Sequence, residues 1–230
     1  NINNARIYIN GQIHKYIKFT FNTECFTCGG GQTGPPGNTG GGANAEFASN
    51  QNIGLIDAIG KFEYNQFVNL WVGRTLVPTE RSELNGPFYH PTYDGFRTPF
   101  FPADDNNGNN AGTFGRDNGA VFFGRVDPGF GHLQYVGSVF SGVQGSPNTG
   151  DSLMYAGRLT YNLLGDEFSH QNPGYYTAGT YYGGYGDLLA IGLGWQHQHN
   201  AAGTTLGSGN VSDYNGLVVD LLFEKVLPDK

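Results

Sequence analysis

Two short patterns in this sequence have the residue types that metal ions require. His197 and His199 flank Gln198, so an extended strand would carry both imidazoles on one side. Asp104 and Asp105 open the run DDNNGN, which resembles a calcium loop without its final glutamate. A polar rim at a strand end and a solvated loop explain the same residues without a metal. We favour these two interpretations and expect neither a metal nor another cofactor.

The sequence lacks the motifs of the common catalytic machineries. It contains no GxSxG, no HExxH and no P-loop. We therefore expect no enzymatic activity.

Cys25 and Cys28 form a CxxC pair within a glycine-rich stretch. A second CxxC would indicate a zinc site and an adjacent histidine would indicate haem attachment, and the sequence has neither. Outside the cell, a small loop disulfide between Cys25 and Cys28 is the simplest interpretation. Metal binding and free thiols are the alternatives.

Tyrosines cluster in one stretch of the chain. They are Tyr175, Tyr176, Tyr181, Tyr182 and Tyr185. Such a cluster can stack on sugars or bases. Tyrosines at the ends of membrane strands more often form a girdle at the lipid headgroups, and we favour that interpretation.

The composition favours an all-β chain. Glycine accounts for 38 of the 230 residues, beside 14 tyrosines and 17 phenylalanines, and strands accept aromatic residues more readily than helices accept glycine. Charged residues make up only 13 %, against about 25 % in soluble domains. The net charge of −7 argues against a nucleic-acid partner. No apolar run reaches the length of a spanning helix, so a membrane form of this chain must be a barrel.

Apolar and polar residues alternate with a period of two in about nine segments, which predicts strands that face two environments. The predicted strands are 5–13, 16–23, 54–64, 67–77, 119–127, 132–143, 152–164, 187–199 and 214–227. On their apolar side we expect these residues to face lipid: Leu153, Tyr155, Leu159, Leu189, Ile191, Leu193, Leu217, Val219 and Leu221. The charged residues of opposite parity should line a pore, where they either select solutes by charge or only hydrate the wall. They are Lys18, Asp57, Lys61, Glu63, Arg158, Asp220 and Glu224.

The connections between the predicted strands alternate in length. Short links at 14–16, 65–67 and 127–131 alternate with long ones at 24–52 and 79–117, as in outer-membrane barrels. The stretch 165–186 is unusually long for the short-turn side. Because bacterial barrels generally have an even number of strands, we expect further strands beyond Lys230. The sequence carries no secretory signal, so we expect it to begin after processing or after a disordered segment.

Several motifs resemble the phosphate-selective porin O and P family and its general-porin relatives. They are Leu70-Trp71-Val72-Gly73-Arg74 leading to Pro78, Gly115-Arg116-Asp117-Asn118-Gly119-Ala120, Ser152 to Leu159, and Val219 to Lys225. The resemblance implies a barrel of sixteen to eighteen strands in the outer membrane of a Gram-negative bacterium, assembled as a homotrimer. It also implies one inward-folded constriction loop, assigned here to 79–117, which offers Arg81, Arg97, Asp104, Asp105, Arg116 and Asp117. Lysine is scarce in this chain, so the resemblance does not extend to phosphate selectivity.

The sequence therefore predicts an all-β transmembrane, antiparallel, up-and-down β-barrel that acts as a porin. Its partners would be outer-membrane lipid and the small hydrophilic solutes or ions that diffuse through it. Two other hypotheses fit parts of the pattern. One is a soluble extracellular β-sandwich that binds ligands through aromatic loops. The other is a barrel that sheathes a partner such as a cytochrome.

Overall fold

The computed structural model describes residues 4–26, 54–84, 116–143, 148, 150–167, 186–203 and 211–227. These residues form nine strands and one short helix. The strands are β1 (Asn4–His14), β2 (Ile17–Phe26), β3 (Gly54–Glu63), β4 (Asn69–Leu76), β5 (Arg116–Val126), β6 (His132–Phe140), β7 (Met154–Leu164), β8 (Leu188–Gly203) and β9 (Val211–Glu224). The helix α1 (Arg81–Leu84) is a single turn that follows β4.

All nine strands belong to one antiparallel sheet whose spatial order is the order of the chain. The prediction of an all-β, up-and-down fold with about nine strands in this chain is confirmed. Among the described strands, β1 and β9 form the two edges of the sheet. Within the described part of the chain, no helix is long and apolar enough to cross a membrane.

The strands begin and end within four residues of their predicted limits, and the difference at β2 changes the position assigned to a cysteine. It continues to Phe26 because β1 begins at Asn4, and the two residues pair in register. Cys25 therefore belongs to a strand, opposite Ala5, whereas the sequence placed it in a loop. Its side chain and Cys28 lie outside the described residues, so the disulfide stays a prediction.

The alternation in the sequence becomes two unlike faces of the sheet. Along β7 buried and more exposed side chains alternate without interruption from Met154 to Asn162. Polar side chains on the buried side include Arg158, Thr160 and Asn162, and Leu159 between them is exposed. We call the buried side the inner face and the opposite side the outer face. The apolar residues predicted to share one face all lie on the outer one, where Leu193 is 43 % exposed and Val219 70 %.

Short turns join neighbouring strands at one end of the strands, which we call the turn side. The side-chain amide oxygen of Asn65 accepts hydrogen bonds from the backbone N–H groups of Phe67 and Val68, at 2.7 and 2.8 Å. In the next turn, Asp127 accepts a hydrogen bond from Arg125 and contacts the His132 ring. These two contacts, that with His132 first, lower the pKa of Asp127, so this carboxylate stabilises the turn at neutral pH and less in acid.

At the opposite end of the strands, which we call the loop side, two buried side-chain amides stabilise the connection between β6 and β7. Asn148 donates to the carbonyls of Val143 and Ser152 and accepts from the Ser152 N–H. The Gln198 amide on β8 donates to the same two carbonyls and accepts from the Val143 N–H. The connection between β6 and β7 is therefore tied to β8, which satisfies its buried backbone groups.

The inner face is not polar throughout, which corrects the simple two-environment prediction. A buried apolar cluster lies across the centre of the sheet, from β3 to β7. Its members are Ile59, Trp71, Val77, Val121, Phe123, Val136, Phe140, Met154 and Ala156. Alternation in the sequence shows only that the two faces of a strand differ in average polarity. It therefore did not reveal that the inner face also has an apolar region. The inner face thus has an apolar centre between two polar zones.

A glycine in β4 gives a test of this packing. Gly73 has a φ of +128°, and an added Cβ would lie 2.0 Å from the Ala58 carbonyl oxygen. We expect Gly73→Ala to destabilise the fold by at least about 1 to 3 kcal/mol, from backbone strain alone. Gly137→Ala on β6 is the matched control, since nothing lies within 4 Å of its added Cβ. Equal unfolding midpoints in urea for the two variants would contradict this packing.

Candidate functional site

We call the parts of the inner face on either side of the apolar centre its two wings. The chain that leaves β4 crosses the inner face to the wing formed by β7, β8 and β9. We call residues 77–84 the strap. Its Thr79 contacts β7 and β8, although only three residues separate it from Leu76 at the end of β4. Three residues reach at most about 10 Å, so the sheet must curve strongly to bring β4 and β8 this close. The inner face is therefore concave, and the strap crosses the concavity.

Thr79 is held through both its backbone and its side chain. The Arg158 guanidinium donates from Nη1 to the Thr79 carbonyl at 2.7 Å. The Gln196 amide donates from Nε2 to the Thr79 hydroxyl at 2.9 Å. Because both donors are buried, each bond satisfies a group that water cannot reach.

Arg81 anchors the strap through two carboxylates. Its Nη1 and Nη2 donate to the two oxygens of Glu167 at 2.6 and 3.0 Å, in a bidentate pair. Its Nε donates to Asp220 on β9 at 2.8 Å. Asp220 also pairs with Arg158, at 2.6 Å from Nη1. Two arginines and two carboxylates thus form one charge-balanced group, which we call the strap network together with Thr79 and Gln196.

Small residues on β8 make room for these contacts. An added Cβ at Gly194 would lie 2.1 Å from the Thr79 carbonyl oxygen. At Gly192 it would lie 2.1 Å from the Arg158 guanidinium and 2.6 Å from the Asp220 carboxylate. Side chains at either position would occupy the space of the strap network. The absence of side chains at these two glycines therefore allows the strap network to pack against β8.

A second polar zone lies on the other wing of the inner face. Arg116 donates to Asp57 at 2.9 Å, and Asn22 donates to the other Asp57 oxygen at 3.0 Å. Toward the turn side, Lys18 pairs with Glu63 at 2.5 Å.

Trp71 links this zone to the apolar centre. Its indole N–H donates to Glu63 at 3.2 Å, and the Lys61 ammonium lies 3.9 Å from the centroid of its ring. The zone therefore alternates positive and negative groups at close range.

The residues predicted to line a pore all lie on the inner face, in these two zones or on β9 beside the strap. Their surroundings differ: Lys18 is partly exposed, whereas Asp57 and Arg158 are each 2 % exposed. The strap covers Arg158, so this residue supports the strap and does not face open space. Alternation in the sequence shows on which face of the sheet a residue lies. It does not show whether another segment of the chain covers that residue.

The predicted constriction loop ends earlier than 117. Arg116 and Asp117 begin β5, and Asp117 accepts hydrogen bonds from the N–H groups of Asn118 and Gly142. Both residues are buried wall residues, which corrects their assignment to the loop. Arg81 belongs to the strap. Arg97, Asp104 and Asp105 lie outside the described residues, so the inward course of the loop beyond 84 stays a prediction.

The two histidines predicted to form a rim lie on the outer face near the loop side. His197 contacts the Asn215 amide oxygen at 2.9 Å, and His199 contacts Asp213 at 2.6 Å. Among the described residues, no group of three or more histidines, cysteines and acidic residues is arranged to hold a metal ion. The tyrosines from 175 to 185 lie outside the described residues.

Sequence reasoning missed Thr79, Gln196 and Glu167. Glu167 lies just beyond β7 in a stretch that had no recognisable pattern, and its side chain is fully buried against Arg81. Gly192 and Gly194 were the available signal, since two glycines at alternate positions of one strand face leave space for another backbone.

Comparison with protein-family models, with curated proteins and with solved structures found no match to this chain.

The strap network gives a test of burial. Arg81→Ala leaves the Glu167 carboxylate buried without its bidentate partner, and removing one partner of a buried pair costs about 3 to 5 kcal/mol. The double variant Arg81→Ala, Glu167→Ala should recover part of that loss in denaturant unfolding. Lys225→Ala is the control, because its pair with Asp187 is exposed and its loss should change stability little. Additive costs in the double variant would contradict the coupling.

Proposed function

We propose that this chain forms part of the wall and the constriction of an outer-membrane porin, which is a passive channel for small hydrophilic solutes or ions. The observation that carries the proposal is the polarity of the sheet. Its outer face is apolar and exposed, and its inner face holds paired charges on both sides of an apolar centre. A soluble β-sandwich would need the reverse arrangement, with apolar residues packed inside and polar ones in water.

The height of the apolar outer face is close to the thickness of the apolar layer of a membrane. On β7 every residue of outer parity from Leu153 to Leu163 is apolar, tyrosine or glycine. These six positions extend over ten residue steps, which span about 34 Å along a strand, or about 25 Å of height at a tilt near 40°. That height matches the apolar band of outer-membrane barrels. Among described strand positions of outer parity between the two rims, Arg74 is the charged exception, and it lies near the loop-side end of β4.

Aromatic residues mark the turn-side border of this band. The Tyr135 hydroxyl donates to the Phe67 carbonyl at 2.6 Å, and the Tyr161 hydroxyl donates to the Phe130 carbonyl at 2.5 Å. Aromatic rings with one polar end favour the lipid headgroup region, so these tyrosines support a headgroup level at the turn side. The Trp195 and His197 rings stack at 6.0 Å between centroids within the outer face, opposite Gly157 and Tyr155 of β7.

The inner face supports transport in preference to catalysis. Its charges form pairs that stabilise a wall. In the proposed channel, the strap would narrow the passage. A large barrel leaves a water-filled interior, so a segment that crosses it sets the passage. We infer an outer-membrane location with lipid as the surrounding partner, and the homotrimer stays a prediction.

Arginine substitutions on the outer face test the orientation. Arg in place of Leu193, which pairs with Leu159 and Val219 in the middle of the band, should destabilise the folded protein in bilayers by about 2 to 4 kcal/mol. The same substitution at Leu153, near the loop-side end, should cost about 0 to 1 kcal/mol. The free energies of unfolding from lipid vesicles give the comparison. Equal costs, or a protein that stays monodisperse in buffer without detergent, would contradict the proposal.

The strap gives a test of the channel. In planar bilayers the full-length protein should produce stepwise, ohmic currents. Gly194→Val places a side chain where the Thr79 carbonyl lies, so it should displace the strap and enlarge the steps. Gly137→Val is the control, because its Cβ meets open space on the outer face. Unchanged steps in Gly194→Val would place the constriction elsewhere, and no steps from the folded protein would overturn the channel.

A further inference from the structure

The inner face differs in accessibility from strand to strand. On strands β2 to β9, the described inner-face side chains between the rims are buried or half-buried. On β1 the residues Tyr8, Asn10 and Gln12 are exposed, and Tyr8 is 57 % exposed. Tyr8 pairs with the buried inner-face residue Asn22, and the other two have the same parity. We call these three residues the β1 ladder, which is the most accessible described part of the inner face.

The side chains of the β1 ladder are uncharged and can form hydrogen bonds. The Asn10 amide oxygen accepts a hydrogen bond from the Thr20 hydroxyl at 2.7 Å, which leaves the amide N–H donors of Asn10 for another acceptor. The amide of Gln12 also carries two donors and one acceptor. Tyr8 adds a hydroxyl and an exposed aromatic ring. The ladder therefore offers neutral donors and acceptors beside an apolar surface.

Charged groups next to the β1 ladder are engaged with protein groups. Lys18 on β2 pairs with Glu63 on β3 at 2.5 Å, so its charge is balanced within the wall. Arg6 donates from Nη1 to the Tyr8 hydroxyl at 3.2 Å. The three ladder residues themselves offer an ion no counter-charge. An ion that leaves bulk water thus gains less from the ladder than a neutral solute with many hydroxyl groups does.

We propose that the β1 ladder is a contact surface for uncharged, polyhydroxylated solutes such as saccharides, and that its residues determine specificity. The inference rests on the proposed channel function and names its solute class. Amides match sugar hydroxyls because both carry donors and acceptors, and the Tyr8 ring can pack on the C–H face of a sugar. Alternate residues of a strand lie about 7 Å apart, so the ladder extends over about 13 Å, the length of a short oligosaccharide.

Block of the ion current by a sugar tests this inference. Raffinose, a neutral trisaccharide, is added to the full-length protein in planar bilayers in KCl. A poly(ethylene glycol) of equal hydrodynamic size is the control solute, because its chain has ether oxygens and no hydroxyl donors. We expect raffinose to lower the current to a saturating level, whereas the polymer should lower it without saturation.

Variants assign the binding to β1. Gln12→Leu and Tyr8→Ala should each weaken the apparent affinity for raffinose about threefold or more, because each removes one contact with the sugar. Asn215→Leu is the matched control, since it removes an exposed amide from the outer face of β9 and should leave the affinity unchanged. Circular dichroism in the same detergent establishes that each variant is folded, and Asn10→Ala takes the place of a variant that does not fold.

The outcomes separate this inference from the channel proposal. Stepwise currents that raffinose lowers no more than the polymer does would overturn the solute class and leave the channel standing. A saturating block that the β1 variants do not weaken would overturn the assignment to the β1 ladder. A folded protein without currents would overturn the channel itself.

Discussion

A sheet that exposes its apolar face has to satisfy its polar face internally, and the rest of this structure depends on that constraint. Charged side chains on the inner face cannot stay unpaired where water is scarce, because the desolvation of a lone charge is too costly. Each basic residue described in the strap network and on the opposite wing accordingly lies against a carboxylate or an aromatic ring. The pairs make a polar interior compatible with a folded sheet.

The strap follows from the same constraint. Arg158 on β7 and Asp220 on β9 lie on the two sides of β8, and without the strap their remaining donors and acceptors would need other partners. Thr79 supplies a carbonyl and Arg81 supplies a guanidinium, so the crossing segment completes the network. The apolar residue Val77 joins the central cluster at the same time. The strap is thus held by hydrophobic packing at its start and by ion pairs farther along.

This arrangement divides the concave face into zones with different roles. The apolar centre gives the curved sheet a packed core of its own, which a wall around an empty space would lack. The two polar zones hold mostly buried ion pairs and hydrogen bonds beside that core. In the proposed channel, the strap and the polar zones would bound the passage.

Much of the fold could be read from the sequence, and the two faces above all. Alternation with a period of two fixes which side chains share a face, because successive residues of a strand point in opposite directions. That rule was sufficient to group Leu159, Leu193 and Val219 on one side and Lys18, Asp57 and Asp220 on the other. Short turns between strands also imply the antiparallel order, since neighbours joined by a few residues pair with each other.

The tertiary structure alone decided what the inner face meets. Arg81 bonds to Glu167 and Asp220 across separations of 86 and 139 residues, and no local pattern encodes contacts over such distances. The curvature of the sheet brings these groups together, and curvature arises from the packing of all the strands. The apolar centre of the inner face has the same origin. The sequence by itself determined the strands, their faces and their order, whereas packing decided which inner residues join the apolar centre and which lie beneath the strap.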